Sequence, residues 1–243
     1  MSTIRILNPT IMGITTRGLL GRKRALLLIP LPLLLIGLAV LGRLSGSDAG
    51  VWGEGVLIGL GMSVVLPLTA LIVGTSALGS EIDDGTIVHI LTKPLPRREI
   101  ILAKLAVAFG ITVPVAAIPL GIAGVIAGST RLGLGLAAGA VVGGLAYAAI
   151  FVALSLVTRR PVAFGLLYLL VWESLLAGVL SGTKQFSVQQ YSLTIADRIA
   201  ANDLVQSTVS LPVAIVMSAV LTVGGTFLAI DRLRSFSLKG ESA

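Results

Sequence analysis

The chain is predicted to be an all-α polytopic membrane protein, and three observations predict it. Six apolar stretches, residues 25–42, 55–79, 100–128, 132–157, 161–180 and 208–230, each reach at least 18 residues. A helix rises about 1.5 Å per residue, so about 20 residues cover the roughly 30 Å hydrocarbon core. The composition is 55% hydrophobic and 12% charged, with a mean hydropathy of +1.01. Soluble domains carry about 25% charged residues, so too little polar surface remains to cover a water-soluble globule. Finally, fourteen of the 18 Lys and Arg residues fall on one side of the membrane if the six stretches are six crossings.

The fourteen are Arg5, Arg17, Arg22, Lys23 and Arg24 before the first crossing, and Lys93, Arg97, Arg98 and Lys104 around the second loop. Arg159 and Arg160 in the fourth loop and Arg232, Arg234 and Lys239 in the tail complete the set. The opposite side holds Arg43, Arg131, Lys184 and Arg198. Basic loops stay in the cytoplasm, so both termini and loops two and four are expected there. The net charge of +7 is accounted for by these loops beside anionic head groups. No basic stripe interleaved with aromatics points to nucleic acid.

Residues 1–24 form a basic, weakly amphipathic leader in which Ile4, Leu7, Ile11 and Ile14 recur at three- and four-residue spacing. That pattern fits a helix lying in the interface; a disordered basic leader is the alternative, given Asn8-Pro9. Crossing one has Pro30 and Pro32 near its start, and the loop after it, 43–54, is short and rich in Gly and Ser. Pro67, Pro114, Pro119 and Pro212 fall within later crossings; proline removes a backbone donor and bends a helix, which a bilayer tolerates only where neighbouring groups satisfy the freed carbonyl. Gly135, Gly139 and Gly143 share one helical face and are expected at a tight interface. The whole chain, 1–243, reads as one transmembrane domain with two substantial loops, 80–99 inside and 181–207 outside.

In the inner loop, Glu81, Asp83 and Asp84 come first, and Asp83 or Asp84 is suited to cap a helix. Ile87, Ile90 and Leu91 then share one face, Lys93 follows, and Pro94 and Pro96 end the run. A short cytoplasmic helix is expected, either docking into a groove on a partner or packing on its own bundle. The outer loop carries Leu193, Ala196, Ile199 and Ala200 at helical spacing, with Asp197, Arg198, Asn202 and Asp203 between them, as one or two amphipathic helices. Glu173 is the only acid well inside a crossing. A buried carboxylate costs about 2.5–3.5 kcal/mol on insertion scales and faces a cavity or a partner, so Glu173 is a candidate for a translocation path or a subunit interface, or else makes a structural hydrogen bond.

Chemistry within the chain is narrow. There is no cysteine, and the lone His89 lies outside the crossings, so disulfides, thiol catalysis and a metal site are not expected. Gly74-Thr75-Ser76-Ala77-Leu78-Gly79 has the wrong spacing for a serine-hydrolase elbow. No Gly-x-x-x-x-Gly-Lys-Ser/Thr phosphate loop occurs, so the chain does not hydrolyse ATP by itself.

Glu81-x-x-x-Gly85-Thr86-x-x-x-x-Leu91-x-x-Pro94-x-x-Arg97-Arg98-Glu99-Ile100-x-x-x-Lys104 resembles the segment between the second and third membrane helices of type 2 ABC-transporter permeases, the membrane subunits of bacterial ABC exporters. Arg17-Gly18-Leu19-Leu20-Gly21-Arg22-Lys23-Arg24 before an apolar run, and the six-crossing layout, resemble that family too. The resemblance implies a coupling helix over 80–99 seated on a separate ABC ATPase, with Glu81, Asp83, Asp84, Gly85, Thr86, Ile87, Ile90, Leu91, Pro94, Arg97 and Arg98 as its ATPase-coupling residues. It implies that Arg97, Arg98 and Lys104 anchor that segment at the lipid surface, and that residues 1–24 form an interfacial elbow. Short re-entrant helices would cap the exit within 181–207. Two permease subunits, copies or related chains, would pair in the bacterial plasma membrane. ATP and Mg would enter through the ATPase, no cofactor being bound by this chain. The rival readings are a passive or ion-driven transporter or channel, and a non-transporting membrane anchor for a cytoplasmic partner.

Overall fold

The computed structural model describes residues 9–21, 28–83, 96–176 and 181–239. Among these the chain is almost wholly helical and has no strand. Helix α1 is Pro9–Leu20 and α2 is Pro30–Leu44, each opening on a proline, where a missing N–H costs no helical bond. Helix α3 runs through Ala49–Gly53, Glu54–Val65 and Leu66–Asp83; its middle part is wound as a π-helix. Helix α4 is Arg97–Ala127 and α5 is Thr130–Val157. Helix α6 runs through Pro161–Leu167 into a second π-wound part, Tyr168–Leu176. A 3₁₀ turn, Ser181–Phe186, leads to α7, Val188–Ala200, and α8 is Leu211–Lys239.

Four stretches are long and apolar enough to cross a membrane: Ala49–Gly79, Arg97–Ala127, Thr130–Val157 and Leu211–Ser235. The first and fifth expected crossings emerge as shorter apolar helices, Pro30–Leu44 and Pro161–Leu175, which abut residues 22–27 and 177–180 outside the described set. The protein is therefore an all-helical multi-pass membrane protein. Several boundaries differ from the apolar runs, and capping groups fix some of them. Helix α3 starts at Ala49, since the Asp48 side chain accepts from the Gly50 N–H at 3.3 Å. Helix α4 starts at Arg97, so Arg97, Arg98 and Glu99 form its first turn rather than loop. Ser129 caps α5 by accepting from the Leu132 N–H, and Ala201, in the left-handed region, closes α7.

Helix α5 is the centre of the bundle, packed against α3, α4, α7 and α8. Its small residues permit this. A Cβ on Gly135 would meet the Ala196 carbonyl oxygen at 2.6 Å and the Ala200 nitrogen at 2.9 Å. On Gly139 and Gly143 it would collide with Ser192. The glycine face thus receives α7, the tight interface expected from its spacing. Of the four long spans α8 is the least enclosed: 17% of its apolar stretch is buried, against 67% for α5. It presents Val216, Val220, Val223 and Phe227 outward, as an apolar solvent requires.

Candidate functional site

The bundle has a strongly basic end. Leu78 of α3, Ile100 and Ile101 of α4, Ile11 of α1 and Leu233 of α8 belong to one buried cluster. This brings Arg97 and Arg98, and Arg232 and Arg234, to the same end. Arg159 and Arg160 join them, lining a cavity with Thr75, Ser76 and Gly79 of α3. Arg43, Arg131 and Arg198 lie toward the other end, where Gly135 meets Ala200 and Gly42 meets Trp52. Among the described residues, the charge asymmetry read along the chain is thus an asymmetry of the folded bundle.

At the basic end, α3 and α4 deliver the two ends of the inner loop. Glu81 and Asp83 lie in the last turn of α3, and Arg97 and Arg98 in the first turn of α4. Asp84, Gly85, Thr86, Ile87, Ile90, Leu91 and Pro94, and the short helix expected around them, lie outside the described residues. Lys104 is not the surface anchor that the resemblance implies. Seven residues into α4, about two turns, it faces α3, is fully buried, and its Nζ donates to the Ala77 carbonyl oxygen at 2.7 Å. A buried polar group is tolerated when hydrogen-bonded, and this bond joins the two helices that carry the loop. Glu99 is also buried, whereas Arg98 is exposed.

The second site surrounds Glu173, which is 6% exposed. Glu173 stands midway along the bundle, and its carboxylate meets the start of α7. It accepts hydrogen bonds from the Val188 N–H at 3.0 Å, the Gln189 N–H at 3.4 Å and the Ser187 hydroxyl. The Tyr168 hydroxyl donates a fourth, at 2.9 Å. The first N–H groups of a helix have no partner within it and carry partial positive charge. A carboxylate from another helix here satisfies them, and their dipoles offset its own desolvation. Phe151 stacks on Tyr147 and meets Tyr168 edge-on, with ring centroids 5.9 and 6.3 Å apart, so an aromatic wall closes one side. Gln189 reaches across to Ser63 of α3 through its side-chain amide.

The inward pointing of α7 follows from the glycine face. Ser192, near its beginning, touches Gly139 and Gly143, whereas Ala200, at its end, touches Gly135 near the start of α5. The helix therefore rises from mid-depth toward the end that carries Arg131. Ser187 caps it, accepting from the Gln190 N–H, and the Ser207 N–H donates to Asp197 at 3.3 Å, tying down the return segment.

Glu173 was legible in the sequence, but its partners were not. Tyr168 is five residues earlier, a spacing that does not face in an α-helix and does in π winding. Ser187 and Gln189 lie fourteen and sixteen residues away in a segment without apolar periodicity at its start. The signal that remained was the Ser187-x-x-Gln190 pattern of a helix N-terminus.

A family model described as "ABC-2 family transporter protein" matches residues 22–164, more than half of the chain, from before α2 into α6. No curated protein matches the chain.

Proposed function

This chain belongs to the ABC-2 family of transporter proteins, a family of membrane permeases, and on that premise we propose that it is the permease subunit of an ATP-driven exporter. It forms the translocation path as a dimer, with a second copy or a related chain. A separate ABC ATPase docks on residues 80–99 from the cytoplasmic side, and ATP and Mg enter through that subunit. The membrane is the bacterial plasma membrane, with both termini cytoplasmic. The observation that carries the reading is the family match across residues 22–164, which includes that whole loop and both helices that hold it. The gathering of basic residues at the loop's end supports the orientation.

The Lys104–Ala77 bond makes α3 and α4 a unit, so a push on the loop between them moves two helices together. Glu173 lies beside the path in this reading. It holds the inner end of α7, the segment that turns back into the bundle, and its four donors all come from this chain. Opening toward the outer side would require these bonds to be exchanged.

The test is affinity purification of tagged chain from detergent-solubilised native membranes, with mass spectrometry of what accompanies it. The wild-type chain should recover a Walker-motif ATPase, and a folded Gly85→Pro variant should not. Recovery of no ATPase, under conditions that preserve a known ABC complex, would overturn the reading in favour of a channel or an anchor.

A further inference from the structure

A cavity of about 540 Å³ opens between α3 and α6 at the basic end, within the size range of small-molecule sites. Its body is mostly apolar, formed by Ile72, Pro161, Val162, Ala163 and Leu166 with Thr75 and Ser76 on the α3 side, and its rim carries Arg159 and Arg160. Both arginines are exposed, and among the described residues neither pairs with a carboxylate. The cavity is reached sideways from the apolar surface. Val162 is 50% exposed and Leu166 39%, next to outward-facing Phe164 and Leu167.

These features define the ligand. A free anion would satisfy the guanidiniums and leave the apolar body empty. An uncharged lipid would fill the body and leave two adjacent cations without a counter-charge among the described residues. Guanidinium binds phosphate in a bidentate fork, and Arg159 and Arg160 stand where the apolar helices end, at head-group level. Basic pockets between membrane helices take anionic head groups for this reason. We propose that the cavity holds one anionic phospholipid, its phosphodiester against Arg159 and Arg160 and an acyl chain along Ile72, Ala163 and Leu166. The proposal needs the chain only to be a membrane protein and is independent of export.

The test is native mass spectrometry of the purified full chain, with its copurifying subunits, in detergent. Phosphatidylglycerol and phosphatidylcholine of identical acyl chains are titrated separately, and inorganic phosphate or glycerol phosphate is added as competitor. One phosphatidylglycerol should be retained with about tenfold preference over phosphatidylcholine. Arg159→Gln/Arg160→Gln should erase the preference, and Ala163→Trp, which fills the body, should expel both lipids. Equal retention of the two lipids by the wild-type chain would overturn the proposal. So would a preference that survives the double variant, or displacement of the lipid by millimolar phosphate, which would mark a site for a free anion. Should the double variant fail to fold, the wild-type comparison and Ala163→Trp decide.

Discussion

The buried Nζ of Lys104 donates a 2.7 Å hydrogen bond to the carbonyl oxygen of Ala77, joining α4 to the last turns of α3. Hydrogen bonds that involve a charged group contribute about 1.5–3 kcal/mol. Lys104→Met keeps the length and removes both charge and donor. It should lower stability by about that amount, read as a lower Tm for the detergent-purified protein. If residues 80–99 seat the ATPase, the same variant should also retain less of it. An unchanged Tm would show that the bond contributes nothing net.

Glu173 gives a graded prediction. Glu173→Gln keeps an acceptor for the α7 amides but loses the charge that complements the helix dipole, and should cost about 1–2 kcal/mol. Glu173→Ala leaves the Tyr168 and Ser187 hydroxyls and the Val188 and Gln189 amides without their acceptor, and should cost at least about 3 kcal/mol. Thermal melts rank the variants. Hydrogen exchange should show faster exchange at residues 188 and 189 in Glu173→Ala, and protection there equal to wild type would remove the capping role.

Much of this arrangement could be read before folding. The glycine face of α5, the basic end and the burial of Glu173 are properties of composition and period, and they reappear in the bundle. What could not be read depends on winding and on caps. Asp48 starts α3 ahead of its apolar run, and π winding lets Tyr168 reach Glu173. The resemblance placed Lys104 at the lipid surface, whereas the fold buries it against α3. Which side of α4 faces α3 is fixed by packing among Ala77, Leu78 and Ile101, not by charge.

The glycine face can be tested position by position. In Gly139→Ala the new Cβ meets Ser192 of α7 and the Met62 Cε at 2.9 Å. Overpacking of this kind costs about 1–3 kcal/mol. Gly224→Ala, with nothing within 4 Å of the new Cβ, should instead be neutral or slightly stabilising, since alanine favours the helix by about 1 kcal/mol. In melting curves compared in one detergent, Gly139→Ala should fall below wild type and Gly224→Ala should not.

Sidedness is accessible because the chain has no cysteine. Ser47→Cys, exposed between α2 and α3, should react with a membrane-impermeant maleimide in intact cells. Ser235→Cys, exposed at the basic end of α8, should react only after the membrane is opened. The reverse pattern would invert the orientation drawn from the basic loops.

The π winding of α3 ties two quantities together that an α-helix keeps separate. Over Glu54–Val65, far beyond the single turn usual for such winding, each carbonyl looks five residues ahead; the Ser63 hydroxyl likewise donates back to the Ile58 carbonyl oxygen. More residues per turn means less travel across the bilayer for the same stretch of chain. Rewinding this stretch as an ordinary α-helix would lengthen α3 and, in the same stroke, rotate Ser63 away from Gln189. The pitch of α3 and its grip on the inner end of α7 are thus linked: a change of winding carries Ser63 with it.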